Sequence, residues 1–411
     1  MPHALVPADS AAADALGAPN YDEFQGDREV WELLQNRPSS VLRISMPHCA
    51  VPSVEQIGED GSVESLRRAA ANMASLSQDA RARHLSSILW VYEIARPERP
   101  QAPQIGLGGM ARTRDIRTPE NPQGTIVRNE GIRESKARAR AHLTQATRAD
   151  LGMVNLAVND AAGAFQDALE SYARGNAPSF ETTDEARNRH RVWLLQDATA
   201  IENWRMLLAR ELYAYVADGN HRSAAAAMLG YEHFLAVFFP ARTMAIAPYN
   251  RLVARITVPV PLAEALRRSF DASECSGAGA FQPSSTHEIG FYDAKAWWLL
   301  RPRQGTYDPA DAAQDIDADI VQRKLFAEVF GITDAREERI TYVGANRDAE
   351  WLQAEVDSGR FACAVTLPPV TMEQFINVCR QNRLMPPKST WFVPKVRTGL
   401  VMALLETRTQ L

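Results

Sequence analysis

AYVADGNHRSAAAAMLG, residues 214–230, is the stretch on which the reading of this chain turns. The apolar run over 213–218 predicts a buried strand ending on Asp218. Residues 219–222 (GNHR) read as a tight turn, and 223–237 (SAAAAMLGYEHFLAV) as a helix of strong formers. A strand, a glycine turn and a helix start, in that order, place backbone N–H groups where an anion can be held. Arg222 falls in the first helical turn, where a guanidinium can grip phosphate through two parallel hydrogen bonds. Asp218 at a strand end can hold a metal or take a proton from a hydroxyl, and His221 can assist or bind phosphate. The plainer reading of these five residues is a capped turn, with Asp218 satisfying helix N–H groups and Arg222 exposed.

Two further segments carry the same chemistry. VRNEGI, 127–132, sets Glu130 among basic residues just before a basic helical segment at 133–149, as an acid/base group, a magnesium ligand or a helix cap. MPPKSTWFVPK, 385–395, is stiffened by two prolines and offers Lys388, Ser389 and Thr390 as donors; such a loop can lie over a polyphosphate or be a rigid surface turn. His190 and Arg251 stand beside predicted strands. GLGG, 106–109, lacks the third glycine and opening helix of a dinucleotide fingerprint and is discounted. Residues 1–20 read as a loose arm, 40–46 (SVLRISM) as a strand, and 271–286 as a mobile Gly/Ser/Ala-rich loop.

The 411 residues allow two or three domains at roughly 100–200 residues each. Forty-five Lys+Arg against 50 Asp+Glu give a net charge of -5, which argues against a nucleic-acid coat or a polybasic membrane binder. Any anion site must therefore be local. Cys49, Cys275, Cys363 and Cys379 form no CxxC pair and read as free thiols in a reducing compartment. His48-Cys49, a bare dipeptide, receives little weight as a metal site. No basic, apolar leader and no long apolar span is visible, so a cytoplasmic protein is expected.

Taken together, NYDEF (20–24), VRNEGIRESKARA (127–139), RHRVWLL (189–195), VADGNHRSAAA (216–226), PYNRLV (248–253), RITYVGA (339–345) and LMPPKSTWFVPK (384–395) are collinear with the motifs of domain-of-unknown-function family 1015, which the chain resembles over nearly its whole length. That family's DGHHR-type segment looks like the phosphate-binding element of the ParB/sulfiredoxin-like superfamily, which includes free-serine kinases. The resemblance implies an α+β fold: a mixed-sheet nucleotide-binding core with additional α/β elements at both ends. The implied segments are a flexible arm at 1–20, an N-terminal α/β region at 21–125, a phosphate-binding core at 126–260 and a C-terminal α/β region at 261–411.

Carried over residue by residue, Glu130 and Asp218 become the catalytic and Mg²⁺-binding pair, with His221 beside them. Gly219, Asn220, Arg222, Ser223, Arg128, Lys388, Ser389 and Thr390 fall to the nucleotide, and His190 and Arg251 to the substrate. The implied reaction moves a phosphoryl group from ADP or ATP to free serine or a related hydroxy amino acid, with neither membrane nor nucleic acid as partner and a homodimer left open. The alternative is a nucleotide-binding switch or a non-catalytic homologue. The sequence departs from the family pattern at Asn129 and Asn220, which stand for histidines, at Ile132, which stands for threonine, and in SKARAR, which lacks the family's acid.

Overall fold

The computed structural model describes residues 1–275 and 279–405. Among them are four sheets interleaved with helices, in keeping with an α+β class. The chain forms two compact units. One takes Met1–Arg128, Ile132–Met244 and Pro394–Leu411, the other Asn129–Gly131 and Ala245–Val393. These units do not follow the contiguous segments drawn from the sequence.

The first unit is built on an eight-stranded mixed sheet, in the order Ile126–Arg128, Ala214–Asp218, Val154–Val158, His233–Pro240, Arg99–Arg112, Leu89–Arg96, Arg189–Leu195, Phe180–Thr183. Ala214–Asp218 pairs in parallel with Ile126–Arg128, and His233–Pro240 with Val154–Val158; the other pairings are antiparallel. Val91, Leu107, Leu156, Val216 and Ala236 join Phe165 and Leu169, of the helix Ala164–Gly175, in one core. The discounted GLGG lies inside the strand Arg99–Arg112, where Gly108 leaves room for the Trp90 indole: a Cβ there would sit 1.8 Å from the ring.

Three segments fold differently from what their sequence suggests. Residues 1–20 are not a loose arm. His3–Pro7 is paired on both sides in a four-stranded antiparallel sheet with Ala82–Ser86 and Met402–Leu404, and Leu5 and Val6 are fully buried. Residues 40–46 are not a strand. Val41 accepts from Ser45 and Leu42 from Met46, a helical turn at Leu42–Ser45 that stops before Pro47. The expected helix at 223–237 begins three residues earlier, at Asn220 directly after Gly219, so no separate turn precedes it, and it ends already at Met228. There Gly230, at φ +64°, and Tyr231 donate back to the Ala227 and Ala226 carbonyls and close the helix, and the chain leaves as the strand His233–Pro240.

The second unit holds a six-stranded antiparallel sheet, ordered Phe270–Glu274, Trp297–Pro302, Ile289–Tyr292, Cys363–Thr366, Tyr249–Val253, Ile340–Gly344, and a two-stranded ribbon of Ala245–Ala247 with Trp391–Val393. Ile289–Tyr292 and Trp297–Pro302 form a hairpin, its turn held by Asp293 Oδ1 accepting from the Lys295 and Ala296 amides at 3.0 Å each. The start of the expected mobile loop is the strand Phe270–Glu274; its residues 276–278 lie outside the described residues. No helix among the described residues is long and apolar enough to cross a membrane.

Candidate functional site

The interior strand Ala214–Asp218 ends on Asp218, and Gly219 then adopts φ +96°, a conformation that disfavours side chains. The space is as restrictive as the angle: a Cβ on Gly219 would meet Arg222 Nε at 3.0 Å and Val154 Cα at 3.2 Å. The helix Asn220–Met228 starts immediately, and its first internal bond runs from the Ser223 amide to the Gly219 carbonyl. The amides of residues 220–222 therefore face the positive end of the helix dipole.

Charge converges on this corner from three parts of the first unit. Arg222 lies 3.5 Å from Asp218 Oδ1, and Lys395 Nζ lies 3.3 Å from Asp218 Oδ2 and 3.5 Å from Asp22 Oδ2. Arg222 also donates to Asn20 Oδ1 at 3.1 Å, and Asn20 is fixed in turn by Thr398 Oγ1 and the Val396 carbonyl. Arg222 Nε is buried and makes no hydrogen bond among the described residues, an available donor beside the helix start. Asn155, paired in register with Asp218, has a buried Oδ1 in the same condition.

Glu23 accepts the Asn20 amide at 2.6 Å, and burial raises its carboxyl to about 7, against the pull of Lys395. Behind Arg222 lies a cavity of about 60 Å³ lined by Asn20, Arg140, Thr144, Asp150 and Gly152, in which burial raises Asp150 to about 6.

His221 Nε2 accepts the Arg133 amide at 3.0 Å, which puts a neutral ring's proton on Nδ1. The Ser223 hydroxyl is fully buried and donates to the Asn220 carbonyl. Arg128 ends the neighbouring strand, in register with Val216, and burial lowers its pKa. His190 is fully buried, with Tyr92 at Nδ1 (2.7 Å) and Asp184 at Nε2 (3.1 Å). Both ring nitrogens are thus engaged in the core, which leaves neither for a substrate.

The second unit assembles the other predicted residues. Glu130 forms a parallel bridge pair with Met385, whose amide donates to the Asn129 carbonyl at 2.8 Å. The short 129–131 segment is thereby stitched to the start of the PPKST loop. Lys388, at φ +60°, lays Nζ over the Tyr249 ring at 5.3 Å. Ser389 donates to the Pro386 carbonyl at 2.7 Å, and Asn129 Nδ2 reaches Thr390 Oγ1 at 3.4 Å. Arg251 is buried, donates to the Tyr249 and Lys388 carbonyls, and stacks on Tyr342. Burial lowers its pKa while Tyr342, Tyr249 and Glu130 pull it back. Glu130 and the 388–390 loop thus share one unit, and Asp218 to Ser223 share the other.

Sequence reasoning gave no role to Asn20, Asp22, Glu23, Asn155, Lys395 or Thr398. Asn20 to Glu23 and Lys395 lie inside quoted motifs, NYDEF and the closing PK, so position within a motif was their signal. Asn155 was visible as a polar residue in an apolar strand, LGMVNLAVN. Thr398 carried no such sign.

Residues 2–325 match the family described as "Protein of unknown function (DUF1015)", and the chain belongs to that family. No curated protein matches the chain. Among solved structures, the chain is similar to a conserved hypothetical protein from Pyrococcus furiosus at 10% identity and TM-score 0.38, over 71% of this chain and 95% of that one. It is also similar to a free serine kinase in complex with AMP, at 10% identity and TM-score 0.38, over 71% and 92%. A third is SbnI with C-terminal truncation from Staphylococcus aureus, at 10% identity and TM-score 0.38, over 71% and 87%.

Proposed function

We propose that this chain is a phosphotransferase that moves the terminal phosphoryl group of ADP or ATP to the hydroxyl of free serine or a related hydroxy amino acid. The observation that carries the reading is the corner at Asp218 and Gly219: a carboxylate at a strand end, a glycine at positive φ, and a helix start flanked by Arg222 and Lys395. In this reading the phosphoryl group rests on the helix N-terminus. As the acceptor oxygen bonds to phosphorus, the bond to the leaving phosphate breaks. The amides and Arg222 offset the charge that spreads over the moving group, which is the larger part of catalysis in phosphoryl transfer. The hydroxyl proton passes to a carboxylate. Glu130 as the partner acid, and Lys388 as a cation for the remaining phosphates, rest on the resemblance alone.

Mg²⁺ fits Asp218 poorly as the residues stand. Each carboxylate oxygen already faces a cation, Arg222 at 3.5 Å or Lys395 at 3.3 Å, and a divalent ion there would meet both charges at close range.

Asn129 and Asn220, where the family pattern has histidines, favour a second reading, a nucleotide-binding switch or non-catalytic homologue. Incubation with ADP or ATP and a panel of hydroxy amino acids, followed by phosphorus NMR, separates the two. A new phosphomonoester signal supports transfer. Nucleotide binding without product rejects transfer in favour of the switch, and no binding at all rejects both.

A further inference from the structure

A second cluster in the first unit has no part in that chemistry. Pro47–Cys49 forms a single tight turn whose imidazole and thiol face inward: the His48 side chain is 2% exposed and Cys49 is fully buried. Asp27, the first residue of the helix Asp27–Asn36, brings Oδ1 to 3.2 Å from His48 Nε2. Asp60, just ahead of the helix Val63–Ser77, brings Oδ1 to 3.5 Å from Nδ1, while Arg140 takes its other oxygen at 3.4 Å. Nδ1 is buried and makes no hydrogen bond among the described residues. A neutral imidazole carries one N–H and cannot donate to carboxylates on both sides. A cation on one side resolves this conflict.

The donor atoms of Asp27, His48 and Cys49 lie within 4.8 Å of one another. Zinc bonds of about 2.0–2.3 Å in a tetrahedron set ligand atoms about 3.3–3.8 Å apart, and the Asp27–His48 pair, at 3.2 Å, stands just at the short end of that spacing. Asp27 is half-exposed, so its carboxylate has room to close on the thiol and leaves a path from solvent. We propose that Asp27, His48 Nε2 and Cys49 Sγ bind a zinc-type divalent cation, with Asp60 orienting the imidazole through Nδ1–H. Mixed nitrogen, sulfur and oxygen donors select a borderline-soft ion over Mg²⁺ or Ca²⁺. A carboxylate behind the ligating histidine is the usual arrangement around such an ion. The ion would tie the helix Asp27–Asn36 to the turn Pro47–Cys49 as a structural clip.

Titrating the full-length protein with Co²⁺ tests this directly. One equivalent is expected to give strong visible bands of a tetrahedral site and a thiolate-to-cobalt charge-transfer band, and Zn²⁺ to displace both. Cys49→Ser should remove the charge-transfer band. Because a buried position can compromise folding, the half-exposed carboxylates give a second arm. Asp60→Asn should weaken Co²⁺ binding by about 10- to 100-fold while circular dichroism stays native. No charge-transfer band in the folded protein, a band that survives Cys49→Ser, or unchanged affinity in Asp60→Asn would each overturn the assignment.

Discussion

Lys395 holds two carboxylates at once, and Arg222 holds one of the two from the opposite side. Arg222 is thus shared between Asp218, Asn20 and a proposed anion. Arg222→Ala is expected to weaken ADP or ATP binding by at least about tenfold, the scale of one lost charge-assisted contact. An unchanged calorimetric titration would discard its role. Glu23 sets a pH dependence of its own. Its folded value, about 7, lies above the ordinary 4.5, so its contribution to stability is full below pH 4.5 and is lost as pH rises to 7. Glu23→Gln should therefore gain on the parent protein across that window, by roughly 3 kcal/mol at pH 8, in urea melts at pH 4.5 and 8. Equal differences at both pH values would show that Glu23 does not titrate there. The charged members of the Asp218 corner were readable from DGNHR because their spacing is local. Lys395 and Glu23 were not, because chain folding across more than 170 positions brings Lys395 to Asp218 and burial, with the Asp22 charge beside it, raises Glu23.

At the scale of the element, one backbone angle sets the corner. Gly219→Ala must hold an L side chain at φ +96° and press its Cβ on Arg222 and Val154. A loss of about 1–3 kcal/mol in denaturant melts is expected, with weaker nucleotide binding. A neutral substitution would mean that this angle is not required. AFQDALESYARG, 164–175, and the β-branched and aromatic run SSILWVYEIA, 86–95, are legible in sequence as the helix Ala164–Gly175 and the strand Leu89–Arg96. Short segments were not. Seven residues at 40–46 alternate well enough for a strand, yet five buried residues and Pro47 make them a turn of helix. The N-terminal strand was hidden by an Ala/Pro/Asp-rich composition, because its partners lie near residues 84 and 403. Removing residues 1–8 strips three fully buried side chains, Ala4, Leu5 and Val6, and an interior strand from its sheet. A loss of at least about 3 kcal/mol is expected, and an unchanged melting temperature would contradict that packing.

Across the whole molecule, the chain passes between units at 129–131, at 245 and at 394, so each unit is built from distant segments. No composition shift or linker marks these crossings, which is why the sequence reading drew contiguous segments instead. The α+β class and the family were legible in the motifs. The motifs also divide by unit: the DGNHR corner lies in one, and Glu130 with the PPKST loop in the other. The most direct test of the central claim is the rate of phosphomonoester formation, by phosphorus NMR, for the parent protein and for Asp218→Asn under saturating nucleotide and acceptor. Product is expected from the parent protein, with a loss of at least about a thousandfold in the variant and its circular dichroism unchanged. Product formed at the same rate by Asp218→Asn would contradict it.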